Sequence, residues 1–384
     1  MNAIVPQSQA EQALGFRLPT RRLEEWKWTD LSRLIDKSYG AVVKVDDKLV
    51  DRLIKASPLR NLKVQRLVVV NGVLDKDRSQ LDGLSILPDA PTIVHEDPLL
   101  AMNAKLMAKT IALSFASNLD QPLEVLHVNT GGASAIASRL HITVADGASA
   151  HVIETFVGEG DYLNNPVTTV SIGNAARFDH VKIETESSAA HHLSHVIVQL
   201  AAKANYNDFT LTSGALVSRQ NATVEYLGEY GNARIAGAYL LKGAQHADTR
   251  LVVDHKVPHC ISREIFKCVM NDKSRGIFQG KVIVRKHAQK TDGKQSSHAL
   301  LLSETAEFDA KPELEIYADD VVCGHGTTCG DLNHDHLFYL KSRGIPETEA
   351  RNMLVHAFVA EAFETVESEA LREALMGMVE ARLA

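Results

Sequence analysis

The segment from Lys311 to Ile345, KPELEIYADDVVCGHGTTCGDLNHDHLFYLKSRGI, passes from a strand pattern through a cysteine and histidine cluster into a helix pattern. Its first part alternates apolar and polar residues, with Leu314 and Ile316 on one side and Glu313 and Glu315 on the other. A period of two residues is typical of a strand that buries one face against a core. The segment therefore predicts a strand that leads directly into side chains able to bind metals.

Five such side chains follow the strand: Cys323, His325, Cys329, His334 and His336. Thiolate and imidazole groups are ligands for iron–sulfur clusters, zinc and copper, and the spacing does not choose among these metals. Cys323 and His325 are two residues apart, so in an extended backbone both side chains point to the same side of the sheet. The two side chains are then placed to act on one ligand.

The strand pattern also extends far upstream, to about Leu123. Short apolar runs recur between Gly, Asn and Asp turn signals, and no long helix pattern interrupts them. A large sandwich, a propeller and a β-solenoid remain as candidates, and an aromatic content of only 5% favours the narrow coils of a solenoid. The runs are LEVLHV, LHITVA, HVIVQL, ATVEYL, TRLVVDH, GKVIVRKH and LEIYA.

The regions on either side of these strands contain helix patterns. Before them, Glu24–Leu34 is amphipathic and contains both tryptophans, and residues 98–109 have helical spacing. Between these two segments, Val64–Val70 has a strand pattern and is followed by an Asn71-Gly72 turn. After them, Asn333 can cap a short helix that stops at Gly344, and two further helices follow, the second after a Ser368 cap.

Composition excludes several classes of protein. The net charge is -7, with 41 Lys and Arg against 48 Asp and Glu, and no basic run favours nucleic acid as a partner. No apolar run is long enough for a membrane span, and the first residues lack the order of a signal peptide. The four cysteines are few for this length, so we expect a cytoplasmic protein without disulfides.

Three segments resemble the SufB/SufD family of iron–sulfur cluster assembly proteins. They are RLPTRRLEEWKWTDL (Arg17–Leu31), KPELEIYADDVVCGHG (Lys311–Gly326) and LFYLKSRGI (Leu337–Ile345). The first of these resembles the SufD members of the family rather than the longer SufB members. The resemblance implies a right-handed parallel β-helix in the strand-rich region.

Together these patterns predict a mainly β fold with three parts. Residues 1–110 form a small mixed helical or α+β N-terminal domain, and residues 111–330 form the right-handed parallel β-helix core. Residues 331–384 form a C-terminal helical cap. The repeat is too irregular to prove the β-helix by itself, and the family resemblance decides between it and the other candidates.

The resemblance also implies a site. In this family the histidine that matches His325 takes part in cluster assembly together with a cysteine of SufB, across the interface between the two proteins. His325 is then a transient iron ligand, with Cys323 beside it as a weaker candidate. No permanently bound cofactor is implied for this chain. The family complex is associated with reduced flavin, and no residue here indicates where it binds.

The implied partners are SufB, through the β-helix, and the ATPase SufC, through the C-terminal helices. We predict that Leu337, Phe338, Tyr339 and Arg343 form the SufC dock, because aromatic and arginine side chains are favoured at protein interfaces. The chain has no phosphate-binding loop, no G-x-S-x-G elbow and no H-E-x-x-H helix. We therefore expect a non-catalytic scaffold subunit. Its strand edges permit either a monomer or a homodimer when SufB is absent.

Two other functions remain open from the residues alone. Cys323, His325 and Cys329 with a later histidine would make a self-contained metal site, although the spacing matches no common zinc module. A β-helix enzyme acting on an acidic polysaccharide is the other alternative, and the lack of a signal peptide argues against it.

Two further groups of metal-binding side chains receive no role from the sequence. Cys260 and Cys268 are interpreted as core thiols, since free cysteine is among the most buried residue types. The histidines of HHLSHVIVQL, namely His191, His192 and His195, are interpreted as decoration of an exposed strand edge.

Overall fold

The computed structural model describes residues 8–42, 45–87, 97–106 and 110–383, which form seven α-helices and seventeen strands. The helices are α1 (Gln9–Leu14), α2 (Leu31–Leu34), α3 (Asp47–Lys55), α4 (Pro98–Leu106), α5 (His334–Ser342), α6 (Glu347–Phe363) and α7 (Glu369–Leu383), and a short 3-10 helix covers Glu24–Trp26. The strands are β1 (Gln65–Val70), β2 (Val73–Asp75), β3 (Ser85–Leu87), β4 (Thr110–Phe115), β5 (Leu123–Val144), β6 (Ser149–Ile172), β7 (Arg177–Glu184), β8 (His191–Leu200), β9 (Asn205–Thr212), β10 (Val217–Tyr226), β11 (Asn232–Leu241), β12 (His246–His255), β13 (Ile261–Met270), β14 (Arg275–Val284), β15 (Asp292–Leu301), β16 (Glu307–Ile316) and β17 (Val322–Gly330). The end of the predicted 98–109 helix, residues 107–109, lies outside the described residues.

The strands wind into a parallel β-solenoid in which each coil adds one strand to each of two ladders. The first ladder stacks β7, β9, β11, β13, β15 and β17, and the second stacks β8, β10, β12, β14 and β16. The long strands β5 and β6 take part in both ladders. The predicted mainly β fold with a parallel β-helix core is confirmed.

The two ends of the solenoid differ. At the first coil, β1 and β4 each pair in parallel with β5 and carry an antiparallel strand, β2 or β3, on the other edge. The β1–β2 hairpin turns at Asn71 and Gly72, both with positive φ, which confirms the predicted turn. At the last coil, β16 pairs only with β14 and β17 only with β15 among the described residues. The first end is therefore capped and the last is open.

β1 already belongs to the solenoid, although it lies within the segment predicted as the N-terminal domain. The boundaries at 110 and 330 stay predictions. None of the helices in the described ranges combines the length and the apolar character that a membrane crossing requires.

The N-terminal segment covers the outer face of the second ladder. Trp26 is buried under it, and the guanidinium of Arg219 on β10 lies 4.4 Å from the Trp26 ring centre. Arg219 forms a buried ion pair with Asp248 on β12, and its Nη2 donates to the carbonyl of Glu25 at 3.0 Å. The hydroxyl of Thr29 also donates to Asp248. Stacking, charge and hydrogen bonds thus fix the segment to the sheet.

The predicted helix over Glu24–Leu34 is wrong in this region, because the chain turns toward the sheet at Thr29. The Leu31 N–H bonds the carbonyl of Pro19 at 3.1 Å instead of continuing a helix from the Glu24–Trp26 turn. Only α2 and the 3-10 turn form.

The C-terminal helices α6 and α7 cover the outer face of the first ladder. Their buried side chains, among them Val359, Phe363 and Leu375, pack against apolar residues of β7, β9, β11 and β13. The Phe363 ring centre is 4.6 Å from that of Phe209 on β9. Lys267 on β13 forms an ion pair with Glu361 at 2.5 Å. The predicted caps are present, because Asn333 accepts bonds at the start of α5 and Ser368 accepts the N–H of Leu371.

The prediction that His191, His192 and His195 decorate an exposed edge is wrong. All three are at most 2% exposed, because β8 is paired on both edges, with β6 and β10, and its outer face lies under the N-terminal segment. The Nδ1 of His191 lies 2.9 Å from the Tyr39 hydroxyl, and the Nδ1 of His192 lies 2.5 Å from Glu186.

The solenoid interior also holds a buried chain of histidines and carboxylates. The Nδ1 and Nε2 of His180 donate to Asp208 at 2.8 Å and to Glu154 at 3.0 Å, so the ring is doubly protonated. Burial alone lowers the pKa of His180, but the hydrogen bonds and charges of Asp208 and Glu154 outweigh it and raise the pKa to about 9. Burial opposes ionisation of Glu154, yet its histidine neighbours hold its pKa well below the ordinary value. The charges stabilise one another within the core.

We expect Trp26→Ala to lower the free energy of unfolding by about 3–5 kcal/mol, because the change empties a buried site and removes the ring beneath Arg219. Trp28 is only half-buried, so Trp28→Ala should lower it by less than about 1 kcal/mol. Denaturant unfolding followed by circular dichroism measures both losses. Equal losses for the two variants would contradict the placement of Trp26.

The charged His180 should make stability fall at alkaline pH. Its pKa is higher in the folded than in the unfolded chain, so its contribution is complete below about pH 6.5 and is lost as the pH rises through about 9. The difference in unfolding free energy between the unaltered chain and His180→Asn should shrink by about 2–3 kcal/mol over this range. The exposed His287, changed to Asn, serves as the control and should keep the pH dependence of the unaltered chain. A difference that stays constant with pH would show that His180 is neutral.

Candidate functional site

The last coil presents two unpaired strand edges and several exposed apolar side chains. β16 and β17 have no outer partner strand among the described residues. Ile316, Tyr317 and Val322 are 41%, 59% and 63% exposed at this end. Natural proteins rarely leave long apolar strand edges open, because such edges pair with other chains. The open end therefore exposes strand edges of the kind that pair with other chains, and the predicted site residues lie on it.

Cys323 and His325 lie on β17 and point to the interior side of the solenoid. Cys323 packs beside the interior core cluster, and His325, two residues further on, points the same way. On earlier coils, an interior side chain at this position is covered by the side chain in register on the next coil. Here no further coil follows, so His325 is exposed although it points inward. The strand therefore brings the two predicted residues together at the mouth of the solenoid.

The donor set fits an iron–sulfur cluster as cargo, in which iron is ligated by thiolate or imidazole. Burial raises the pKa of the Cys323 thiol, which favours the protonated, weakly binding form. His325 needs no deprotonation of this kind, because a neutral imidazole already offers a lone pair. His325 is thus the readier of the two ligands, and Cys323 requires a nearby cation or metal to ionise.

Cys329 does not join this pair. It lies six residues beyond Cys323 on the same extended strand, which places the two residues about 20 Å apart. Within the ranges that the structure covers, no group of three or more His, Cys, Asp or Glu side chains is arranged to hold a metal ion. The structure does not assemble the alternative Cys and His site.

The remaining cysteines are core thiols, as predicted. Cys260 and Cys268 are both fully buried. Burial raises the pKa of the Cys260 thiol to about 11 and that of Cys268 further still. Both thiols are therefore protonated and unreactive at neutral pH.

The residues predicted to form the SufC dock differ in burial. Leu337 is buried and anchors α5, whereas Phe338 and Tyr339 are 74% and 56% exposed. The Arg343 guanidinium lies 5.3 Å from the Tyr339 ring centre and donates to its hydroxyl at 3.2 Å. Exposed aromatic and arginine side chains are of the types enriched at protein interfaces. Phe338, Tyr339 and Arg343 thus form a prearranged contact patch.

A groove on the C-terminal helices also exposes apolar surface. It has a volume of about 620 Å³ and lies along α6 and α7, with Met353 at 45% exposure on its wall. His356 and Glu380 also line it, and their side chains approach to 3.8 Å. The surface combines an apolar floor with charged edges, which is typical of a protein interface.

Sequence reasoning missed two interior residues behind His325. Gln295 on β15 is in register with His325, and Glu264 on β13 is in register with Gln295. Gln295 and His325 are 30 residues apart and Glu264 and Gln295 are 31 apart, which is the length of one coil in this part of the chain. That spacing is the only signal that identifies them, and it is visible only when the coil length is known.

Comparison with known proteins gives a consistent result. The family model described as SUF system FeS cluster assembly, SufBD core domain, matches residues 127–358. The chain is 32% identical to the iron-sulfur cluster assembly protein SufD of Escherichia coli (strain K12), over 98% of this chain and 93% of that protein. It is 27% identical to an iron-sulfur cluster assembly SufBD family protein of Synechocystis, over 98% of this chain and 90% of that protein. A third relative, SufD of Bacillus subtilis, is 25% identical over 76% of this chain and 68% of that protein.

Proposed function

Because the chain belongs to the SufBD family of SUF-system iron–sulfur cluster assembly proteins, we propose that it is a non-catalytic scaffold subunit that pairs with SufB and SufC. The observation that carries the proposal is the open last coil, with His325 and Cys323 at its mouth. The capped first coil leaves one end of the solenoid for pairing. The function is thus assigned to that end.

SufB is proposed to cover the open end. A second β-solenoid end can satisfy the free backbone groups of β16 and β17, while the exposed Tyr317 and Val322 become buried. His325 then lies inside the interface, where exclusion of water strengthens ligand bonds. A second copy of this chain offers the same edges, so we propose that it pairs with itself when SufB is absent.

The chemistry proposed for the interface needs ligands from both sides. His325 offers one imidazole nitrogen, and Cys323 lies two residues away as a second donor. Two donors do not complete the four-ligand site of a cluster, so the remaining ligands come from the partner. A nascent cluster is in this proposal a cargo held at the interface, and no cofactor stays on this chain. A cytoplasmic location, expected from the few cysteines, belongs to the same proposal.

SufC is proposed to bind the α5 patch and the groove on the C-terminal helices. The patch lies outside the contacts that hold α6 and α7 on the solenoid, so a partner can bind it without displacing them. The chain lacks a phosphate-binding loop, and we propose that SufC supplies ATP hydrolysis. The apolar contacts of Phe338 and the cation of Arg343 would anchor that interface.

Replacing His325 tests the cluster role. In a complex of this chain with SufB and SufC purified without oxygen, His325→Ala should lower the iron and sulfide content about tenfold, because a ligand is lost. The recovery of SufC should not change, since its proposed dock on α5 does not include His325, and iron and sulfide are expressed per SufB recovered. Thr328→Ala, on the opposite side of the same strand, is the matched control. Unchanged iron and sulfide in His325→Ala would remove His325 from the proposal.

Replacing Phe338 tests the SufC dock. Phe338→Ala should weaken SufC capture about tenfold, because a central aromatic contact of an interface contributes more than about 1 kcal/mol. Tyr230→Ala on a turn of the solenoid is the control, because Tyr230 is 54% exposed and lies outside the patch. Binding measured by titration calorimetry distinguishes the two variants. Equal affinity of SufC for the Phe338 variant and the unaltered chain would place the dock elsewhere.

A further inference from the structure

One row of interior positions carries polar side chains to the mouth of the solenoid. Residues in register on neighbouring strands of a parallel ladder stack at about 4.8 Å per coil and point the same way. In the first ladder, one such row runs along β7, β9, β11, β13, β15 and β17 and ends at the proposed cluster ligand. Its members are His180, Asp208, Ile235, Glu264, Gln295 and His325.

Gln295 lies directly behind His325 in this row, and its side chain makes no hydrogen bond in the described part of the chain. It is 3% exposed, and neither its amide oxygen nor its amide nitrogen has a partner there. A buried amide without partners destabilises a protein by roughly 1–3 kcal/mol. The presence of an unsatisfied amide at Gln295 therefore calls for an explanation.

Space for this amide comes from a glycine on the opposite ladder. A Cβ atom at Gly280 on β14 would lie 2.2 Å from the Gln295 amide nitrogen. No side chain larger than that of glycine fits there while Gln295 keeps its position. The Gln295 amide thus occupies space that the absence of a side chain at Gly280 leaves open.

Glu264 lies one coil deeper and is also unusual. It is 2% exposed, and neither of its carboxyl oxygens makes a hydrogen bond of ordinary geometry. Burial raises the pKa of Glu264 to about 8, against the smaller opposing effects of Ser262 and Arg263. At neutral pH the carboxyl group is mostly uncharged, so it can stay in the core and its carbonyl oxygen can accept a hydrogen bond.

We propose that Gln295 is a positioning residue for His325, which it holds in one tautomer when a partner covers the open end. The amide oxygen of Gln295 accepts the ring N–H of His325 that faces the interior. The amide nitrogen of Gln295 donates to the carbonyl oxygen of Glu264. The ring nitrogen that faces the partner is then unprotonated, and its lone pair points to where iron is ligated.

The proposal rests on the function proposed above and deepens it. Histidines that bind metals commonly donate their other ring N–H to a carbonyl or carboxylate, which fixes the ring orientation and the tautomer. A free neutral imidazole has two tautomers, and only one of them suits a ligand at a given position. Gln295 selects it before iron arrives, so less freedom is lost on binding.

The test is a direct measurement of the His325 tautomer. The chain is produced with ¹⁵N-labelled histidine and combined with unlabelled SufB and SufC, and the ring nitrogen shifts are recorded by solid-state NMR. The His325→Asn variant identifies the His325 signals by their loss. The unaltered chain should show one neutral tautomer for His325.

Two variants separate positioning from packing. Gln295→Met has a similar length and volume without the amide, so it should leave a mixture of both tautomers and lower iron loading by about tenfold. Glu264→Gln keeps a carbonyl acceptor for Gln295, so it should retain the single tautomer. A single tautomer in Gln295→Met, or a mixture in the unaltered complex, would overturn the proposal.

The two proposals fail in different ways. If His325→Ala loads iron normally while Gln295→Met still mixes the tautomers, the cluster role fails and the positioning by Gln295 stands. If His325→Ala loses iron while Gln295→Met keeps one tautomer, the cluster role stands and the positioning fails. The tautomer is read from ring nitrogen shifts and does not depend on the cluster.

Discussion

The pairing of each coil with its neighbours is the constraint on which the rest of this structure depends. A strand in a parallel ladder satisfies its backbone groups only through the strands on either side. At the first coil the antiparallel strands β2 and β3 supply that pairing within the chain. At the last coil nothing in the described residues does so for β16 and β17. The solenoid therefore has one end with paired strands and one end with free strand edges, and the candidate ligands lie at the free end.

The buried polar side chains in the interior of the first ladder differ from coil to coil. Near the capped end the interior charges are paired, as in the contact of Lys182 with Glu184 at 2.6 Å and in the chain from Asp208 through His180 to Glu154. Further along the same interior row, Glu264 and Gln295 make no side-chain hydrogen bond among the described residues. Buried polar groups that are satisfied fix a unique core, whereas unsatisfied ones mark places where a structure is incomplete. The last coil thus combines unpaired strand edges with an unsatisfied amide on the strand behind it.

The sequence was sufficient for features set by local patterns. The strand texture and low aromatic content pointed to a solenoid, the Asn71-Gly72 turn formed, and Asn333 caps α5 as expected. Features set by the stacking of coils could not be read in this way, because the coils vary in length from 26 residues (Val217 against His191) to 32 (Glu307 against Arg275). An irregular period hides which residues share an interior row.

For the candidate site, the sequence found His325 and Cys323 but not what surrounds them. The burial of His192 and the placement of Gln295 behind His325 follow from stacking and from the segments that cover the ladders. The exposure of individual side chains could not be predicted from the sequence either. Phe338 and Leu337 are adjacent in sequence and similar in chemistry, yet one is exposed and the other buried.

The position of the N-terminal segment has a consequence for the order in which the chain folds. Glu25 bonds Arg219 and Gln279, and Glu24 forms an ion pair with Lys311, so the first part of the chain to be synthesised binds strands that are made much later. Such contacts of large sequence separation form late and slowly. During synthesis, the surface on which Trp26 packs therefore does not exist until β10 has emerged from the ribosome. The burial of Trp26 then indicates that the coils beneath it have stacked.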